Sequence, residues 1–443
     1  MRRLILADLL DNSRVWLGVL LVMISTALVA AVVASDIETG VTAGGNVALA
    51  LYAISGVIIL FSAVTAIIVL GSVTALAVTL HQRAYALWQL VGFRPGHVRA
   101  VVHAQVAILA VLGSGIGCAL ALPAVGPLFR FSFASTADFD TATPRFGVLS
   151  AAGVVLFVLL LAVASSARGA RRAALTPAIA TLREADVPRV PMTGKRWITA
   201  TIMVGLLAWI VSTLPGTAVE RLAVPLMLIG PLVAGILATM GPLFMAPLVR
   251  AWTALVPTTW SSAWYLARNT TASHISRSAA VINPLVVATA LAGGLYAAND
   301  TVRAATTDAG SLSAGTVVLL LGGPLVLSLV GATVSVFMSS RTREREVALL
   351  VATGATWATA IRAAVAEALI YVGTAALLGV AAVTVTRIVG LWAAGTGLPS
   401  TVSQPATAVA VIICGAALLM VPATVIPTLV ALRRNAPRLL TGE

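Results

Sequence analysis

Arg341-Thr342-Arg343-Glu344-Arg345-Glu346-Val347-Ala348-Leu349-Leu350-Val351-Ala352-Thr353-Gly354 joins two long apolar runs. A related segment, His81-Gln82-Arg83-Ala84-Tyr85-Ala86-Leu87-Trp88-Gln89-Leu90-Val91-Gly92, lies 262 residues earlier. At that offset Arg83 falls on Arg345, Leu87 on Leu349, Gly92 on Gly354 and Gln105 on Glu367. Each segment is followed by another apolar run. A duplicated bundle with matched connectors points to a transport machine with two halves, not to a one-site enzyme.

The runs on either side define the class. The 443-residue chain is 59% hydrophobic and only 10% charged. A soluble domain needs more charge than this to cover its surface. Ten windows, uncharged but for Glu367, are long enough to cross a bilayer, at 15–35, 50–80, 100–126, 146–167, 197–214, 222–249, 279–298, 313–340, 363–386 and 405–432. In lipid the backbone must satisfy its own hydrogen bonds, and these runs lack the alternation of barrel strands, so they are helices. The expected fold is all-α: a polytopic bundle of about ten spans, with two pseudo-repeated four-helix halves and two linking helices. The domains expected are 1–167, 168–261 and 262–443. The window 50–80 exceeds one perpendicular crossing, so it tilts or continues beyond the membrane.

Charge sets the expected orientation. With the N-terminus inside, the segments 1–14, 81–99, 168–196, 250–277, 341–362 and 433–443 hold 23 of the 28 Lys and Arg residues. That bias is the positive-inside rule, and it places both termini in the cytoplasm of a multi-pass plasma-membrane protein. The first span shows no cleavage pattern and is expected to be retained. The net charge of +13 is thus first a topology signal. No soluble basic face is available for nucleic acid. The Ala/Val/Arg-rich composition suits a bacterium.

Several local features carry expectations of their own. Val347, Ala348, Leu350 and Val351 share one helical face, with Arg343, Glu344, Arg345 and Glu346 expected to project below the membrane. Gly354 stands where a helix ends in a left-handed turn. Leu4–Asp8 and Trp264–Arg268 suit amphipathic surface helices, with Trp252, Trp260, Trp264 and Tyr265 in an aromatic belt. Gly113 and Gly117 form a Gly-x-x-x-Gly pair that is either a close helix contact or chance. Pro225, Pro231, Pro242 and Pro247 argue against a straight, regular sixth span. Asn283-Pro284 marks a broken helix or a kink repaired by neighbours. The basic linker 168–196 contains Pro177, Pro188, Pro191 and Gly194, and is expected to be partly loop. His81, His97, His103 and His274 lack partners at ligand spacing and read as surface residues. Cys118 and Cys414 lie within spans and offer no disulfide framework.

Absences exclude other functions. The span interiors are almost free of Asp, Glu, Lys and Arg, whereas an ion-coupled carrier places such groups at mid-membrane. No selectivity ring and no Ser/His/Asp or paired-carboxylate constellation is present for a channel or an intramembrane enzyme. No metal spacing and no Gly-x-x-x-x-Gly-Lys-Ser/Thr loop is present, because Arg189 occupies the upstream glycine position before Gly194-Lys195. The chain is therefore not expected to be an enzyme or to bind a cofactor.

The second connector, Arg345-Glu346-Val347-Ala348-Leu349-Leu350 followed by Ala352, Gly354-Ala355-Thr356 and Glu367, resembles the signature of FtsX-like permeases. These are the membrane subunits of ABC transporters of the MacB/LolC type. The first connector keeps the Ala-Leu and Gly positions, but Ala84 stands for Glu346, and Phe93-Arg94 stand for Ala355-Thr356. Ten spans match the bacitracin-resistance branch, without its large external domain, since the corresponding loop is only Asn299–Leu312. The resemblance implies a cytosolic ABC ATPase, two copies per permease chain, carrying the ATP and magnesium. It would grip connectors 81–99 and 341–362 through Arg83, Leu87, Gly92, Arg343, Glu344, Arg345, Glu346, Leu349 and Gly354. The implied cargo is amphiphilic and drawn from membrane lipid: an antimicrobial peptide, a lipid or a lipopeptide, in efflux or extraction. The alternative is a transmembrane signal transmitter acting on a cell-wall hydrolase or a sensor kinase.

Overall fold

A computed structural model describes residues 13–134, 139, 142–175, 192–218, 222–257, 261–305, 313–395 and 404–433. Among the described residues there are thirteen helices and no strand. They are α1 Ser13–Ala43, α2 Gly45–Leu80, α3 Gln82–Leu90, α4 Pro95–Phe133, α5 Val148–Leu175, α6 Gly194–Thr213 and α7 Ala223–Thr253. There follow α8 Ser262–Ser273, α9 Ile275–Ala305, α10 Ala314–Met338, α11 Ser340–Ala352, α12 Trp357–Ala394 and α13 Gln404–Arg433. Ten of them are long and apolar enough to cross a membrane, one for each expected window. The protein is an all-α, multi-pass membrane bundle. Helix α2 has 36 residues, or about 54 Å at 1.5 Å per residue, well beyond the hydrocarbon thickness.

The chain divides into two compact units. The first comprises Met1–Asp186 and Ser311–Val334, hence α1–α5 and most of α10. There α1 packs against α2, α4 and α5. Gly113 and Gly117 of α4 approach α1 closely. A Cβ on Gly117 would stand 2.6 Å from Ala27 Cβ and 2.7 Å from the Ile24 carbonyl of α1. The Gly-x-x-x-Gly pair is thus a helix contact, where absent side chains let two backbones meet.

The second unit comprises Val187–Gly310 and Ser335–Glu443. Its centre is α9, whose most apolar window is 89% buried, against 50% for that of α1. Helices α7, α8, α12 and α13 surround α9. Pro284 lies inside α9 without breaking it. Proline lacks the N–H that would bond the carbonyl four residues back. That carbonyl, Ala280 O, accepts instead from Ser335 Oγ at 3.1 Å. The neighbour repairs the kink.

Other expectations shift. Hydropathy ends the first span near residue 35, yet α1 runs to Ala43. Its end is tied down: Glu38 accepts from Gly147 N at 2.7 Å and from Ser150 Oγ, at the start of α5. A carboxylate is favourable at a helix N-terminus. The sixth span is one continuous helix through Pro231, Pro242 and Pro247. Pro225 sits in its first turn, where an N–H has no intrahelical partner to lose. Helix α5 carries the chain to Leu175, so the linker begins as helix. Residues 176–191, Leu4–Asp8 and Trp260 lie outside the described residues. Trp252 and Trp264 do not form a simple belt. They pack edge to face, and their indole N–H groups donate to Thr374 Oγ1 and Thr253 O.

Two connector elbows and a buried charge cluster

The two connectors fold alike where the sequence repeats. Helices α3 and α11 end 262 residues apart, and so do the starts of α4 and α12. Gly92 and Gly354 have φ of 100° and 92°. Gly354 N donates to Val351 O, and Ala355 N to Leu350 O, both at 3.0 Å. Gly92 N donates to Gln89 O at 3.1 Å, and Phe93 N to Trp88 O at 3.0 Å. Each is a Schellman ending, which needs a left-handed residue and so favours glycine. In the first elbow the ring of Phe93 also meets that of Trp88, the apolar contact that accompanies this cap.

The apolar faces are docked onto neighbouring helices. Val347 clusters with Ala360, Ala431 and Leu432, supported by Val351 and Ile361. Tyr85, at the position of Val347, clusters with Val78, Val98, Val102 and Ala170. The opposite faces are free: Leu87, Leu90, Val91 and Leu349 are exposed, Val91 at 82%.

The charged residues behave differently from expectation. Arg343 and Glu344 do not project outward; both side chains are buried. Arg343 Nη2 donates to Glu367 Oε1 at 2.9 Å. Arg277 of α9 joins the same oxygen through Nη2 at 3.0 Å, and Tyr371 OH donates to it as well. The other arm of Arg277, Nη1, reaches Glu346 Oε1 at 3.1 Å. Two cations and two carboxylates thus form a charge-balanced cluster at the junction of α9, α11 and α12. The reason is energetic: ionised groups out of water require partners. The sequence repeat placed Arg343, Glu346 and Glu367 on the elbow but missed Arg277. The signal was available, since a lone Arg opens the uncharged run 279–298 just as a lone Glu opens 363–386. The side chains of Arg83 and Arg345 lie outside what the structure describes.

In the first elbow the same positions carry neither Arg nor Glu: His81 replaces Arg343 and Gln105 replaces Glu367. His81 is not a surface residue. It is buried, its Nδ1 lies 2.8 Å from Ala77 O, and its ring lies 5.4 Å from that of Trp16. Among the described residues no three His, Cys, Asp or Glu side chains converge to hold a metal. Cys118 is buried and Cys414 exposed, and both are free thiols.

A bundle of apolar spans with two capped helical elbows on its connectors defines a multi-pass membrane protein. A family model described as FtsX-like permease C-terminal matches residues 56–175, the stretch containing α3, α4, α5 and most of α2. That stretch of the chain is similar to the FtsX-like permeases. The match falls on the first copy, whose connector keeps less of the motif. No curated protein matches the chain.

Proposed function

We propose that this chain is the permease subunit of an ABC transporter that exports or extracts an amphiphilic molecule, of the antimicrobial-peptide, lipid or lipopeptide type. A separate ATPase, with ATP and magnesium bound to it, engages both elbows, one ATPase copy per elbow. The bundle sits in the plasma membrane with both termini on the ATPase side, in keeping with the charge bias of the connectors.

One observation carries this reading. The elbows share a cap at the same repeat offset and present exposed apolar residues, Leu87, Leu90 and Val91 on one and Leu349 on the other. Arg343 and Glu344 of the second elbow turn inward, while Arg94, Arg99 and Arg362 of the connectors stay exposed. A partner therefore meets apolar residues flanked by arginines and pushes on a helix anchored at its back. Isolated apolar side chains held on a rigid helix suit a groove of complementary shape.

The test is capture and stimulation. The intact chain should copurify with an ABC ATPase and raise its turnover when an amphiphile is added. Leu349→Glu and Leu87→Glu should each weaken capture, and the double variant should abolish it, while the ten-span fold persists. Normal capture by the double variant would refute the assignment of these surfaces.

A further inference from the structure

We infer that Arg277 is the positioning residue that locks coupling helix α11 to the transmembrane core. The inference rests on the coupling reading above, but its first test does not.

Arg277 is awkwardly placed. Arg277 is the third residue of α9. A cation in the first turn opposes the helix dipole, and burial removes its hydration. Local propensity gives no reason for an arginine there. The tertiary geometry does. Its guanidinium forks between two carboxylates on two different helices: Nη2 to Glu367 of α12 at 3.0 Å, and Nη1 to Glu346 of α11 at 3.1 Å. A planar fork holds both directions at once; an ammonium point charge does not.

The two arms are unequal. The Glu367 side chain is 8% exposed and also receives Arg343 and Tyr371. The Glu346 side chain is 29% exposed and Arg277 is the partner it meets in the core. The Glu367 arm is therefore the fixed anchor. The Glu346 arm is the strut that sets the angle of α11, and it lies one turn from the exposed Leu349. Between α11 and α12 the chain makes a four-residue turn, Thr353–Thr356, held by main-chain bonds and by the Thr353 and Thr356 hydroxyls. Without the strut, a push on Leu349 would be absorbed by that turn and by sliding of the Val347 face. With it, the push reaches the start of α9, the most buried helix of its unit.

The first experiment needs only the purified full chain, with Cys118 and Cys414 replaced by Ser and spin labels at positions 349 and 369, both exposed. Pulsed electron resonance reads the distance distribution between α11 and α12. The unaltered elbow should give one narrow distribution, Arg277→Met a broad or shifted one, and Arg277→Lys an intermediate one. Where Arg277→Met fails to fold, the charge-balanced double variant Arg277→Met/Glu346→Gln takes its place, since Arg343 and Glu367 remain paired in it. A distribution unchanged in whichever of these folds overturns the proposal.

The second experiment adds the ATPase. Arg277→Lys should keep hydrolysis stimulated while transport per ATP falls by about tenfold, a normal size for a coupling free energy. Equal losses of hydrolysis and transport would overturn the positioning role. If the unaltered chain stimulates no ATPase, the permease reading fails, and the distance measurement still judges the lock.

Discussion

The two elbows have the same backbone and opposite chemistry. Both end in a glycine-dependent cap at one repeat offset. Behind the second lies a cluster of two arginines and two glutamates; behind the first lie the rings of Trp16, His81 and Tyr85. Helix α11 is also longer than α3, with 13 residues against 9, and the added turn brings Arg343 into the helix. The difference teaches that elbow shape is set by main-chain geometry, whereas elbow stiffness is set by what backs it. Ion pairs directed by a fork fix an angle. Rings in tilted contact hold by area and tolerate sliding. The two halves are therefore expected to respond unequally to the same push.

The largest test of this contrast compares Glu367→Ala with Gln105→Ala. The first leaves two buried guanidinium groups without their shared acceptor and should cost about 3–5 kcal/mol. The second removes a neutral buried amide and should cost about 1–3 kcal/mol. Thermal unfolding of the purified chain reads both, and equal costs would dissolve the contrast. Next comes a graft of the second elbow onto the first. His81→Arg and Gln105→Glu should each destabilise alone, because each buries an unpaired charge. Together they should recover a coupling energy of about 1–3 kcal/mol in a double-mutant cycle. A coupling near zero would mean that positions 81 and 105 do not face each other as 343 and 367 do.

Where the elbows are alike, substitutions should act alike. Gly92→Ala and Gly354→Ala meet no crowding, since nothing lies within 4 Å of the added Cβ. Each should cost only the left-handed penalty, about 1–2 kcal/mol. Unequal penalties would show that the caps differ after all. The smallest effect concerns α9, whose proline has no counterpart in α1, where Val22 stands at that position. Ser335→Ala should cost about 0.6 kcal/mol, a usual value for an interhelical hydrogen bond in a membrane. In a Pro284→Ala background the same change should cost close to nothing, because Ala280 O regains its own helical donor.

Much of this architecture was legible in the residues. Ten apolar windows became ten long helices, because in lipid the backbone has few alternatives. Gly354 announced its turn, and the offset carried the prediction to Gly92. What hydropathy could not see was any bond between segments distant in sequence. Helix α1 outlasts its apolar run because Glu38 is held at the start of α5. The sixth span survives its prolines as a continuous helix. The charges of the second connector turn inward because Arg277, far upstream in the sequence, meets them there. A face rich in Arg and Glu reads as solvated only until a partner of opposite sign is known to lie opposite.

The duplicated Schellman ending has a consequence for how such a molecule diverges after duplication. A stop built from amide groups and one glycine makes no demand on the side chains around it. Each half is then free to be refitted to its own motor contact without losing the bend. Two levers of one pattern can thus come to carry different loads.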